Sequence, residues 1–260
     1  MKIDRVVLAS DSHINYLPFW EYAAKSWAKL GIKPTLFLID NNNVDDIDVN
    51  TELGDVYRLN CGDDMHTAFV SQCIRLLCPA MFSNEFVIIA DIDNFPLSSK
   101  YFLGNIKDVN DESFVCYRSG VCGRNQIAMP WNVAKGSTWS EVFEFEAEGS
   151  NWKTKTIERL QKWYPNSYRP IHEGRCDSWF TDQILLKKYI TSWKRKNNTN
   201  RLCELKDLDT GFYRLDRRAN NKTHTTKFRP SAEYSDFSPP RPLEKHIDHI
   251  SNVLNHYQVY

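Results

Sequence analysis

The sequence predicts an α/β fold: a mostly parallel central sheet with helices on both faces and an extended C-terminal segment. Three observations predict it. Short apolar runs at Arg5 to Ala9, Thr35 to Ile39 and Phe86 to Ala90 each end in a polar loop, as buried strands do. Helical stripes separate these runs, and strands alternating with helices at this spacing are joined by right-handed crossovers into a parallel sheet. With 42% hydrophobic and 13% aromatic residues, the chain has material for a sizeable core and lies far from the composition of a disordered one.

Taken in order, Arg5-Val6-Val7-Leu8-Ala9 empties into the polar Ser10-Asp11-Ser12-His13. Trp20, Ala23, Ala24, Trp27 and Leu30 then share one helical face, and Gly31 is placed as the C-terminal stop. A second strand, Thr35 to Ile39, precedes Asp40 and an Asn run; Asp55 to Leu59 is a weaker third. A helix from Met65 to Leu77 buries Phe69, Cys73, Leu76 and Leu77 ahead of Pro79. The run Phe86 to Ala90 is the strongest strand signal in the chain. Beyond residue 110, Ser113 to Tyr117 and Gln126 to Met129 read as strands, and Ser137 to Phe145, Thr154 to Trp163 and Trp179 to Tyr189 as helices. The Pro-rich stretch Pro230 to Pro242 reads as an extended segment that wraps the domain and leads to a terminal helix of about a dozen residues.

A length of 260 residues fits one α/β domain spanning the whole chain, 1–260. Lys and Arg number 33 against 33 Asp and Glu, so no global positive field draws the protein to nucleic acid. Charge is unevenly placed, however. From Lys187 to Arg229 thirteen basic residues face four acids, which is either a solvated face or a surface for an anionic ligand, while Asp40 to Asp64 is acidic. Seven cysteines without CxxC spacing argue against zinc and against a disulfide framework. No basic-then-apolar leader opens the sequence, and its longest aliphatic run, Phe86 to Ala90, is far short of the ~18 residues that span a bilayer. A soluble protein with no transmembrane segment, in the reducing cytoplasm, is expected. The sequons Asn197-Asn198-Thr199 and Asn221-Lys222-Thr223 are then chance matches.

The chemistry centres on Ala90-Asp91-Ile92-Asp93-Asn94-Phe95-Pro96-Leu97, where two carboxylates one residue apart follow a buried strand. Continued strand geometry points Asp91 and Asp93 to one side and Ile92 back to the core. Hard oxygen pairs of this kind hold Mg²⁺ or Mn²⁺, whose remaining positions take water and phosphate oxygens. Such acids also end strands simply by bonding the next turn.

An apolar strand, Asp-x-Asp, then Pro-Leu and a short aromatic helix resembles the DxD region of GT-A glycosyltransferases. The segment Thr67 to Leu77 and the opening Val7-Leu8-Ala9-Ser10-Asp11 fit the same fold, and the chain is most similar to the glycosyltransferases encoded by chloroviruses and other large DNA viruses. The resemblance implies a GT-A, Rossmann-like sheet whose nucleotide-binding half is 1–110 and whose sugar and acceptor half is 111–260. It implies a metal-dependent hexosyl- or deoxyhexosyltransferase moving a sugar from a UDP-sugar to a glycan or glycoprotein acceptor, in the host cytoplasm if the chain is viral.

Carried onto this sequence, the resemblance makes Asp93 the principal ligand of Mn²⁺ or Mg²⁺ and sets Asp91 on the ion or the ribose. It has Ala9, Ser10 and Asp11 receive the base. Gln72 and Arg75, three apart and opposite their helix's apolar stripe, face the nucleotide crevice, where Arg75 neutralises diphosphate or braces the DxD carboxylates. Asn132, within Met129-Pro130-Trp131-Asn132, is the candidate hydrogen-bonding group of the donor-sugar pocket. Asp182, in the first turn of a helix, is the candidate base, with Asp177 second; both also suit helix capping. His249 is the candidate third metal ligand, beside His246 on one helix face, and Arg214, Arg217 and Arg218 are candidates to grip the leaving diphosphate.

Two other classes compete. A haloacid-dehalogenase-like phosphatase also sets DxD after an apolar strand, but continues Asp-x-Asp-x-Thr/Val, whereas Phe95 stands fifth here. A noncatalytic sugar-binding protein of the same fold would use the many Trp and Tyr for stacking on sugar rings, although these suit a core equally.

Overall fold

The computed structural model describes residues 1–147, 149, 151–174, 176–197, 200–218 and 223–259. Both sequons include residues outside the described ones, at 198–199 and 221–222. The first apolar run forms β1 (Arg5–Asp11), buried along its whole length, and it carries Ser10 and Asp11 beyond the apolar residues at its carboxyl end. The Trp20 stripe forms α1 (Trp20–Lys29), and Gly31 follows with φ of 75°, a conformation that costs glycine no Cβ clash. Next come β2 (Lys33–Asp40), β3 (Asp55–Asn60), α2 (Thr67–Ile74), β4 (Phe86–Ile89), the two-residue β5 (Phe95–Pro96) and α3 (Ser99–Phe102). The remainder is β6 (Phe114–Cys116), β7 (Asn132–Lys135), α4 (Gly136–Phe143), α5 (Trp152–Trp163), α6 (Thr181–Lys196), β8 (Leu202–Glu204), α7 (Asp207–Thr210), β9 (Tyr213–Asp216), β10 (His224–Thr225), β11 (Tyr234–Ser238) and α8 (Ile247–His256).

Seven strands form the central sheet in the order β3-β2-β1-β4-β7-β6-β8. All run parallel except β7, which is antiparallel to both β4 and β6. Strand periodicity divides its side chains between two cores. Val7, Ala9, Phe37, Ile39 and Ile89 meet α2, α4, α5 and α6 on one face. Val6, Leu8, Leu36, Leu38 and Ile88 meet α1, α3 and α8 on the other. A second sheet, β10-β9-β11-β5, packs on that second face, and in it β11 closes antiparallel on Phe95–Pro96 directly after the DxD segment. The extended tail therefore does return across the domain, as a strand.

Several boundaries differ from expectation. No strand forms at Gln126–Met129, because the carbonyls of Ala128 and Met129 accept from the Asn132 side chain at 2.8 and 2.7 Å and the Ile127 N–H donates to Gln183. The strand there is β7 instead. The helix expected from Met65 begins at Thr67, where the His66 ring caps it by accepting from the Ala68 N–H. The Trp179 helix opens as a 3₁₀ turn (Asp177–Phe180) and becomes α-helical at Thr181. All seven cysteines are free thiols, and among the described residues no helix is long and apolar enough to cross a membrane.

Candidate active site

A cleft of about 230 Å³ opens at the carboxyl ends of β1 and β4, where open α/β sheets place their ligands. Ala9, Ser10 and Asp11 line it from the end of β1, and Asp91 and Asp93 from the loop after β4. Gln72 and Arg75 come from α2, Asp182 from the first turn of α6, and Arg217 and Arg241 from the segments that follow β9 and β11. Tyr16, Met129, Pro130 and Trp179 add an apolar rim.

The carboxylates of the cleft and Arg75 and Gln72 have defined partners, whereas the buried Ser71 hydroxyl on its lining has none among the described residues. Arg75, buried at the end of α2, donates to the Ala90 carbonyl at 2.9 Å and to Asp91 Oδ1 at 2.5 Å, and its Nη2 stands 3.5 Å from Asp182 Oδ2. Asn94 Nδ2 donates to the other Asp91 oxygen at 3.1 Å. Gln72 ties α2 to the far wall, donating to the Trp179 carbonyl and accepting from the Tyr168 hydroxyl. Asp11 accepts from the Thr67 hydroxyl at 2.8 Å and from the His13 N–H at 3.2 Å, so the end of β1 is braced against α2.

Asp182 differs electrostatically from Asp93. Burial removes the Asp182 carboxyl from water and Asp91 adds like charge; together they outweigh Arg75 and push its pKa up to about 7. At Asp93 burial acts in the same direction, but Arg241 and Arg217 outweigh it and hold the carboxyl well below the usual carboxylate range. Asp93 Oδ2 accepts from Arg217 Nη1 at 2.6 Å, from Arg241 Nε at 2.8 Å and from Arg241 Nη2. Arg241 Nη1 donates to the Tyr16 hydroxyl, and its guanidinium lies over the Tyr16 ring.

This arrangement does not fit Mn²⁺ or Mg²⁺ on Asp91 and Asp93. A divalent ion needs a carboxylate oxygen at ~2.0–2.2 Å and several more oxygens around it. Here Asp93 Oδ2 already takes two guanidiniums and both Asp91 oxygens are engaged, which leaves Asp93 Oδ1 as the one open oxygen of the pair, and no group of three or more His, Cys, Asp or Glu side chains able to hold a metal occurs among the described residues. His249 is not part of the cleft. It sits on α8 with its ring edge-on to Phe237, its pKa lowered by burial and by His246.

Four further candidates, Asn132, Asp177, Arg214 and Arg218, lie outside the cleft. Asn132 is fully buried and uses its amide to hold the 128–129 loop. Asp177 is exposed on the 3₁₀ turn before α6. Arg214 is buried against Asp236 at 2.6 Å and reaches Asn94 Oδ1 at 2.9 Å, while Arg218 is exposed. Asp236, Arg214, Asn94, Asp91 and Arg75 thus form a continuous chain from the second sheet to the cleft. Arg241 and Tyr16 escaped the sequence reading: Arg241 lies 148 positions from Asp93, within the stretch read only as an extended wrap.

No family model matches the chain, and no curated protein matches it. Among solved structures it is similar to the glycosyltransferase GlyE of Streptococcus pneumoniae TIGR4, at 17% identity and a TM-score of 0.42, over 80% of this chain and 46% of that one. The apo form of GlyE aligns at 15% identity and 0.40, over 83% and 47%. Mannose-6-phosphate isomerase from Helicobacter pylori aligns at 12% identity and 0.35, over 79% and 97%. The chain spans less than half the length of GlyE. With these three scores below 0.5, the functional reading stands on the cleft alone.

Proposed function

We propose that the chain is a glycosyltransferase that binds a UDP-sugar in this cleft and transfers the sugar to a glycan acceptor. The observation that carries the reading is the pairing of two unlike sites in one cleft: a cationic wall of Arg217 and Arg241, and a buried carboxylate, Asp182, whose pKa lies near neutrality. An anionic donor needs the first and an acceptor hydroxyl needs the second.

In the proposed reaction the nucleoside lies against Ala9, Ser10 and Asp11 at the end of β1, and the diphosphate turns toward the arginines. The acceptor hydroxyl attacks the anomeric carbon. Its proton passes to a carboxylate oxygen of Asp182, the carbon–oxygen bond to the diphosphate breaks, and the bonding electron pair leaves on the nucleoside diphosphate. A pKa near the working pH is where a general base combines ionisation with proton affinity. Arg75 holds Asp91 closely and Asp182 loosely, which fixes both carboxyls without committing Asp182 to a tight ion pair. Direct displacement from the side opposite the diphosphate inverts the anomeric carbon.

A phosphatase reading is less well supported. Its nucleophile would be Asp91, both of whose oxygens accept hydrogen bonds, one from a buried guanidinium. A thermal-stabilisation screen against UDP-, GDP- and ADP-sugars tests the proposal, since a ligand that binds only the native state raises its melting temperature by mass action. A UDP-sugar is expected to stabilise the protein; stabilisation by none of the panel contradicts the reading.

A further inference from the structure

We infer that Arg217 and Arg241 form a diphosphate-binding fork that serves in place of a divalent cation, with Asp93 a positioning residue that holds the fork. The inference rests on the nucleotide-sugar reading and specifies how that site meets its charge. Two guanidiniums converge on one oxygen of a carboxylate that is 2% exposed. One negative charge therefore organises two positive ones, and both arginines still line the cleft. A dication brought to that oxygen would have to displace these donors, and one brought to the other oxygen, Oδ1, would sit beside their two positive charges.

The donors also match the ligand. A guanidinium presents five N–H groups in a planar fork that suits phosphate oxygens. Arg217 uses Nη1 on Asp93 and on the Pro239 carbonyl, and its Nε and Nη2 have no hydrogen-bond partner among the described residues. Arg241 is held from three sides, by Asp93, the Tyr16 hydroxyl and the Tyr16 ring. The two side chains are only about a quarter exposed, at 27% and 24%, so the ordering that phosphate recognition requires is largely in place before the ligand arrives. Their origin in the second sheet explains its position: β11 closes on Phe95–Pro96, which brings the ends of β9 and β11 over the carboxylates that follow β4.

The test is calorimetry of the full chain with UDP, GDP and ADP, once in excess EDTA and once with Mn²⁺. UDP is expected to bind with a Kd that agrees within about twofold between the two buffers. Arg217→Gln and Arg241→Gln should each weaken it about ten- to a hundredfold in EDTA, the range of one charge-assisted hydrogen bond. Asp93→Asn should weaken binding in EDTA as well, an effect that loss of a metal ligand would not produce there. Circular dichroism of the two arginine variants, whose side chains are partly exposed, checks their fold. UDP binding that disappears in EDTA and returns with Mn²⁺ overturns the fork while leaving the nucleotide-sugar reading intact. Metal-independent binding unaffected by either arginine substitution also overturns it. Absence of binding by all three nucleotides in both buffers overturns the fork and the nucleotide-sugar reading together.

Discussion

Arg75 Nη2 stands 3.5 Å from Asp182 Oδ2, at the outer limit of a hydrogen bond, although the same guanidinium holds Asp91 at 2.5 Å. The asymmetry separates two acids that share one cation, Asp182 buried and Asp91 partly exposed. Asp91 is held by Arg75 and Asn94, whereas Asp182, whose Oδ1 takes only the Gln183 N–H at 2.7 Å, keeps a pKa of about 7.

Replacing Asp182 with Asn removes the proton acceptor and keeps the side chain's size. Transfer should fall about 10²- to 10⁴-fold, as loss of a general base does, with little change in donor affinity. Initial rates beside a calorimetric Kd for the donor check this. The exposed Asp177→Asn should leave both quantities nearly unchanged.

Asp182 also predicts the pH dependence. As a base it acts when ionised, so transfer should rise with pH through about 7 and then level off. Stability should run the other way. A carboxyl whose folded pKa is raised above its ordinary 3.8 binds its proton more tightly in the native state, so its stabilising contribution is complete below 3.8 and is lost as pH climbs to about 7. Urea unfolding at a series of pH values should show this decline in the wild type and a smaller one in Asp182→Asn.

Arg75→Gln tests the shared cation. It leaves two carboxyls without their buried counter-charge, a change that typically costs about 3–5 kcal/mol. Denaturant melts should show the loss, and the pH–rate midpoint should move upward, because Arg75 opposes the rise in the Asp182 pKa.

Gly136 opens α4 directly after β7, and a Cβ there would lie 2.1 Å from the Phe82 carbonyl oxygen, which is backbone and cannot swing aside. Gly136→Ala should therefore lower the melting temperature markedly. Gly104→Ala is the matched control: its nearest neighbour is Lys100 Cγ at 3.7 Å, and it should be neutral or gain about 0.4–1 kcal/mol.

Five of the seven strands of the central sheet, β1 to β4 and β6, were legible as apolar runs, whereas β7 and β8 were not; the positions of Asp91, Asp93 and Asp182 were legible because a strand end or a helix start places them locally. The second sheet was not. Phe95–Pro96 is two residues long and its partner is β11, a pairing that no local period records. Arg241 was hidden for the same reason. The carboxylate spacing at Asp91 and Asp93 carries no sign of the two arginines that meet Asp93, because Arg241 arrives only with the tertiary return of the tail. Gln126–Met129 misled because its apolar residues suit a strand, while a buried side chain, Asn132, takes its carbonyls.

Sugar transfer from a nucleotide donor in this cleft is tested by incubating the full chain with UDP-sugars and a panel of glycan acceptors. Nucleoside diphosphate release is followed by chromatography and the product anomer by NMR. Acceptor-dependent release of UDP from at least one donor, an inverted anomeric centre, and loss of both signals in Asp182→Asn are expected. Release of inorganic phosphate in place of UDP, or a product that retains the donor's configuration at a rate Asp182→Asn does not change, would contradict this expectation.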